Sequence, residues 1–223
     1  MLDGISVIAF DIDGTLYSSY RFYFKIFPYF VKNFGFFLKF NKVRRILHKT
    51  APLADFYEYQ ARLLAEELNC KPQEAKEKIQ KIVYDGMTPY FNSIETFDYV
   101  TEAFKKIKEA GYRIALLSDF PPSQKGEMWG LKPYCEIILG SEETGALKPS
   151  KYPFGILCNK LNVKPEQVLY VGNSVKYDIF GAKNCGMKSA YILTFWRKLF
   201  HIPLKYADIS FSSYRQFLEF VLK

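Results

Sequence analysis

The chain has 223 residues, room for one full domain and a smaller insert, and its 49% hydrophobic and 24% charged residues are those of a folded globular protein. Its four cysteines (Cys70, Cys135, Cys158, Cys185) lie far apart with no CxxC pair, which excludes a disulfide framework or zinc site and suits a reducing, cytoplasmic setting. A net charge of +8 favours anionic partners, among which charge alone does not choose.

The first four residues carry an acid rather than a base and precede only a short apolar run, unlike a signal peptide. Residues 5–10 (ISVIAF) predict a strand buried on both faces, closed by Asp11-Ile12-Asp13-Gly14. Residues 17–95 predict helix throughout. Phe56, Tyr59 and Leu63 recur at helical spacing, as do Ala75, Ile79 and Ile82, and Pro72 with Glu74 suits a first turn. The greasiest stretch, 26–40, is too short to span a bilayer and contains Lys32, Lys39, Pro28 and Gly35.

From residue 96 strands and helices alternate. Phe97, Val100, Phe104 and Ile107 predict a helical stripe, with Gly111 at its C-terminal end. Residues 113–117 predict a second buried strand, ending at Ser118-Asp119, and 137–140 a third. A helix over 152–161 leads to a strand over 168–172, and Ser174 caps a helix ending near Gly186. A strand over 189–193 and a helix over 217–222 complete the order. The pattern predicts an α/β fold, a Rossmann-like parallel sheet with right-handed crossovers. Three strands end in polar residues: Asp11/Asp13, Ser118/Asp119 and Asn173/Ser174. In an open parallel sheet those ends share one edge, where ligands bind, so distant residues converge.

Four motifs stand in order at these positions: Asp11-Ile12-Asp13-Gly14-Thr15-Leu16, Ser118, Lys148-Pro149, and Gly172-Asn173-Ser174 followed by Asp178. Together they resemble the haloacid-dehalogenase-like hydrolase superfamily, within it the phosphoglycolate phosphatase-like enzymes with an inserted α-helical cap. The resemblance implies a core of residues 1–16 plus 96–223 and a cap of 17–95. It implies a Mg2+-dependent phosphatase in which Asp11 is the nucleophile and Asp13 protonates the leaving alcohol, then activates water. Ser118, Lys148 and Asp119 would meet the phosphoryl group. Mg2+ would sit on the Asp11 carboxylate, the Asp13 backbone carbonyl, Asn173 and Asp178.

The chemistry calls for these residue types. Unaided phosphate monoester hydrolysis is extremely slow, so a catalyst must position a nucleophile and neutralise charge. A carboxylate that attacks phosphorus splits one hard step into two. A cation relieves the repulsion between the two anions, and oxygen ligands suit Mg2+. Crowded carboxylates raise one another's pKa, which helps keep one of them protonated. Its presence also argues against a dehalogenase, which needs no second catalytic Asp.

The chain departs from the family pattern at three places. Asn173 stands where Asp is usual and predicts weaker magnesium binding. Asp119 replaces a common Asn, and either points away, pairs with a lysine such as Lys125, or disfavours some substrates. Ser150 replaces a frequent Asp. Two alternatives therefore stay open: a phosphomutase-type phosphotransferase of the same superfamily, and a low-activity phosphate-ligand binding protein.

Between residues 17 and 54 there are eight Lys/Arg and no Asp/Glu, with twelve Phe/Tyr before Asn41. One reading is a basic aromatic surface for nucleic acid or anionic membrane. The other, which we expect, is a helical bundle with rings packed inward and lysines solvated, so nucleic acid is not the expected partner. Such a cap is a lid over a small phosphorylated metabolite, such as phosphoglycolate, a sugar phosphate or a mononucleotide. Tyr17, Tyr20, Arg21 and Tyr23 lie nearest the catalytic loop, and His48 and His201 carry no motif.

Overall fold

The structure, a computed structural model, describes residues 2–223. Strand β1 (Val7–Phe10) is followed by helices α1 (Ser19–Lys32), α2 (Phe34–Leu47), α3 (Phe56–Leu68), α4 (Pro72–Ile79) and α5 (Gly86–Ser93) before the sheet resumes. Then come α6 (Val100–Glu109), β2 (Arg113–Ser118), β3 (Ile137–Gly140), α7 (Lys151–Leu161) and β4 (Val168–Gly172). The chain continues through α8 (Phe180–Cys185), β5 (Lys188–Ile192), α9 (Phe195–Leu199), β6 (Ile209–Phe211) and α10 (Tyr214–Val221).

All six strands pair in parallel in the order β3-β2-β1-β4-β5-β6, as the alternating pattern predicts. In β1, Ile8 and Phe10 point to the face covered by α6 and α10, and Val7 and Ala9 to the face covered by α7. Both layers are wholly apolar, which is why β1 reads as a continuous hydrophobic run. The order reverses beside β1, where β2 and β4 flank it, and a crevice at such a reversal is where α/β sheets bind ligands.

The inserted helical segment builds its own core from Phe37, Phe40, Val43, Leu47, Phe56, Leu64, Ile79 and Val83. A short antiparallel bridge between Tyr17 and Thr96 closes its two connections to the sheet. Several sequence expectations shift here. In α3 the buried stripe is Phe56, Gln60, Ala61, Leu64 and Ala65, and Tyr59 faces solvent. A wide π turn over Gln80–Asp85 adds residues to the turn, so Val83 replaces Ile82 on the stripe of Ala75 and Ile79. Helix α6 starts at Val100, after Tyr99 in left-handed conformation, which leaves Phe97 outside it. The last helix starts at Tyr214, three residues before the expected boundary. Strand β6, only Ile209-Ser210-Phe211, was not anticipated.

Candidate active site

The carboxyl ends of β1, β2 and β4 bring Asp11, Asp13, Ser118, Lys148, Asn173 and Asp178 together. The backbone N–H of Asp11 donates to Val171 (2.8 Å), tying the catalytic loop to β4. Lys148 is buried and its Nζ lies 2.7 Å from both Asp11 Oδ1 and Asp178 Oδ1, with Tyr170 Oη at 3.2 Å. The Thr15 hydroxyl donates to Asp11 Oδ2 (2.8 Å) and lies 3.3 Å from Asn173 Oδ1. The second oxygen of Asp178 accepts from the backbone N–H of Asn173 (3.2 Å) and Ser174 (2.8 Å).

Two glycines make this closeness possible. A Cβ on Gly172 would lie 2.3 Å from Asp178 Cβ, and one on Gly14, at φ +87°, would meet Asn173 and Ser19 at 2.3 Å.

Asp13 has a different set of partners. Ser118 donates to its Oδ2 (2.8 Å), Tyr17 donates to its Oδ1, and the ammonium of buried Lys125 lies 3.1 Å away. Its side chain is 31% exposed where that of Asp11 is 5%, so Asp13 is the carboxylate that faces an incoming molecule.

Burial pushes the Asp11 carboxyl up to about 8, because Lys148 only partly offsets desolvation and the neighbouring Asp178 and Asp13 add to it. Burial would also raise Asp13, but the Lys125 ammonium with the Tyr17 and Ser118 hydrogen bonds outweighs it and holds Asp13 below the ordinary carboxylate range. Crowding therefore acts on Asp11, which is the member of the pair that holds a proton at rest. For Lys148, burial works against the charge, but Asp11 and Asp178 overcome it and hold the ammonium protonated.

Asp119 does not pair with Lys125. Its Oδ1 accepts from the backbone N–H of Lys148 (3.1 Å), anchoring the lysine's loop, while Lys125 goes to Asp13. Ser150 caps α7 by accepting from the N–H of Tyr152. Of the four cap residues nearest the loop, Tyr17 reaches Asp13, whereas Tyr20, Arg21 and Tyr23 are exposed.

Several site neighbours escaped the sequence reading or entered it in another role, Lys125 as a partner for Asp119 and His48 as a residue with no motif. Lys125 sits in a turn-rich loop with no periodicity. Arg44 is buried in an ion pair with Glu142, which also accepts from Tyr84 (2.7 Å), and Gln60 joins Arg44 (3.1 Å) to Tyr84 (2.9 Å). The Arg44 guanidinium lies 4.5 Å from the ring centre of Phe120, next to Asp119. His48 donates from Nδ1 to the Lys148 carbonyl (2.6 Å) and stacks on Tyr177. These contacts dock the helical insert onto the loops at the carboxyl edge of the sheet. Arg44 carried a readable signal: Phe40, Arg44 and Leu47 share one helical face, and a charge on an apolar stripe calls for a buried partner.

A cavity of about 400 Å3 opens beside Gly14 and Asn173, whereas a larger one, about 700 Å3, lies between the insert and the core at Tyr57, Tyr84 and Gln124 and misses Asp11. Among the described residues no cluster of three His, Cys, Asp or Glu is gathered for a metal. The donor chemistry nonetheless fits a hard cation: Asp11 Oδ2 and Asn173 Oδ1 share the Thr15 hydroxyl, and every candidate ligand is an oxygen. Once Asp11 ionises, three carboxylates (Asp11, Asp13, Asp178) against two ammoniums (Lys125, Lys148) leave the cluster one positive charge short.

Comparison with known proteins agrees with this architecture. The family model of the haloacid dehalogenase-like hydrolases matches residues 5–186. The pyrophosphatase PpaX of Halalkalibacterium halodurans is 24% identical over 84% of this chain and 83% of its own length. A HAD phosphatase from Thermococcus onnurineus superposes with TM-score 0.66 at 17% identity, covering 97% of this chain and 98% of that one. L-2-haloacid dehalogenase from Xanthobacter autotrophicus does so equally, at 0.66 and 17% over 98% of both chains. Fold alone thus does not separate the two chemistries. With the matched residues spanning every motif at the sheet edge, the chain belongs to the haloacid dehalogenase-like hydrolases, with an inserted helical cap.

Proposed function

We propose that the chain hydrolyses a small phosphomonoester through an aspartyl-phosphate on Asp11. The observation that carries this reading is Asp13, a second carboxylate beside the nucleophile, held by Ser118, Tyr17 and Lys125 and the more exposed of the two. At rest the proton of the pair sits on Asp11; as a bound phosphoryl group draws Lys125 away, that proton passes to Asp13. The Asp11 carboxylate then forms the new P–O bond as the ester P–O bond breaks, and the leaving oxygen takes the proton from Asp13. Water then attacks phosphorus, Asp13 takes the water's proton, and the bond to Asp11 breaks to release phosphate.

Lys148 stays charged and orients Asp11, while Asp178 and the Asp119 anchor fix Lys148 in turn. Asp178 has both oxygens engaged, so we read it as the residue that holds Lys148 rather than as a direct metal ligand. Lys125 neutralises Asp13 at rest, and a bound phosphoryl group competes for that ammonium. Mg2+, held by Asp11, the Asp13 carbonyl and Asn173, would neutralise charge between nucleophile and phosphoryl oxygens. The docked insert and the small cavity at Gly14 favour compact phosphate esters over phosphoproteins.

A panel of small phosphate esters with Mg2+ tests this reading, comparing the unmodified chain with Asp11→Asn and Asp13→Asn. Phosphate release from at least one ester, abolished by Asp11→Asn, is the expected result. Turnover that survives Asp11→Asn overturns it. Asn173 favours one further reading, a low-activity phosphate-binding protein; ester binding without release, even with Mg2+ in excess, is its signature.

A further inference from the structure

Helix α1 is apolar on both faces. Inward, Phe22 and Ile26 are buried, and Phe22 stacks on Phe91 with ring centres 4.5 Å apart. Outward, Tyr20, Phe24, Phe27 and Val31, at spacing i, i+4, i+7 and i+11, form a second stripe, and the three rings are 81%, 79% and 61% exposed. A helix lying on a globular protein normally turns a polar face to water. The expectation that the cap's rings all pack inward therefore fails on this helix. The polar residues around the stripe are Arg21, Lys25 and Lys32, with no acid anywhere between residues 17 and 54.

The core carries a matching feature. Helix α9 and its exit leave Phe195, Trp196, Leu199 and Phe200 exposed, interleaved with Arg197 and Lys198. Tyr20 and Phe195 line the same cavity, so the two patches adjoin across the junction of insert and core. Large contiguous apolar patches on a water-facing surface mark interaction sites.

We propose that this surface docks the protein on an anionic lipid bilayer, with the rings of α1 and α9 entering the interface and the surrounding lysines and arginines meeting lipid phosphates. Three observations select this occupant. A symmetric contact with a second copy sets Arg21, Lys25 and Lys32 largely against like charges, with Asp98 the one acid lining the cavity between the two patches. Single-stranded nucleic acid stacks on rings but gains nothing from Val31, Leu199 and Ile202, which are exposed on α1, on α9 and just after it. A bilayer interface accepts both, favours Trp and Tyr at headgroup depth, and attracts basic residues. No described helix is long and apolar enough to cross a membrane, so the association is a surface one.

The test is co-sedimentation of the full chain with vesicles of phosphatidylcholine alone or mixed with phosphatidylglycerol, read with tryptophan fluorescence. Trp129 donates to the Ile94 carbonyl in the interior, so a change in emission reports Trp196. Binding to the anionic vesicles, weakened by salt, with emission shifted to the blue, is expected. Lys25→Glu with Lys32→Glu should reduce the partition about tenfold or more. Phe24→Ser with Phe27→Ser should abolish it, and neither pair should change the melting temperature or soluble-ester turnover. Absence of binding at low salt overturns the proposal. So does a concentration-dependent dimer that Phe24→Ser with Phe27→Ser dissolves, or polynucleotide binding that the same pair removes while vesicles remain unbound.

Discussion

Two regions of this molecule break the inside-out rule in opposite senses. At the carboxyl edge of the sheet Asp11, Lys125, Lys148 and Asp178 are charged and buried; on the outer face of α1, Tyr20, Phe24 and Phe27 are apolar and exposed. Buried charges are costly unless paired, and exposed rings forgo a transfer free energy of about 1.5–3 kcal/mol each. The buried charges find their partners within the chain, short of one positive charge. The three outer rings of α1 are left to solvent. The first region is a chemical site that needs only a cation and a substrate; the second is a surface whose partner lies outside the chain.

The sharpest way to break that contrast is to remove a charge from the edge. Lys148→Met leaves Asp11 and Asp178 unpaired in the interior and should cost about 3–5 kcal/mol of stability together with all turnover. Denaturant titration and a phosphate-release assay check both. Asp11→Asn should lower turnover by about a thousandfold or more while the fold persists, since an amide keeps the shape but cannot attack phosphorus.

Next is the seam between insert and core. Arg44→Met strands buried Glu142 and should cost about 3 kcal/mol, whereas Arg44→Met with Glu142→Leu should recover most of that loss, because apolar residues can replace a buried pair. A double-mutant cycle of melting curves measures it, and poor turnover in a variant restored in stability would show that the seam serves catalysis as well as docking. Asn173→Asp should lower the magnesium concentration needed for half-maximal turnover roughly tenfold or more, since it adds a formal charge near Asp11.

The smallest effect lies at the opposite, amino-terminal edge of the sheet, where Arg113 and Glu136 pair at 2.5 Å but stand partly in solvent. The hydrogen bonds from Arg113 hold the Glu136 carboxyl below its usual range, so its stabilisation is present above the unfolded-chain value near 4.5 and is lost as pH falls through the lower folded value. Being exposed, the pair should contribute at most about 1 kcal/mol, read as the difference in melting between Arg113→Ala and the unmodified chain at neutral and acidic pH.

How far each region could be read beforehand follows from the same physics. Asp11, Ser118 and Asn173 were legible because each ends an apolar run, and a polar residue at the carboxyl end of a buried parallel strand is placed at the sheet edge by topology alone. Lys125 was not, since it stands seven residues beyond β2 in a loop whose path depends on tertiary contacts, among them Gln124 donating to the Val83 carbonyl (2.7 Å). The three-residue β6 carries too little alternation to stand out, and only its pairing with β5 defines it. In the insert, helical periodicity was visible but its phase was not: the π turn moves the stripe to Val83, and seven rings in its 14 residues give α1 two apolar faces with no internal cue to which is inside.

The most direct test is to quench a single turnover in acid and map where the phosphoryl group resides. Label on the peptide containing Asp11, absent in Asp11→Asn and accumulating in Asp13→Asn, is what the two-carboxylate arrangement predicts. Complete turnover with no labelled peptide, or label at any other residue, would contradict it.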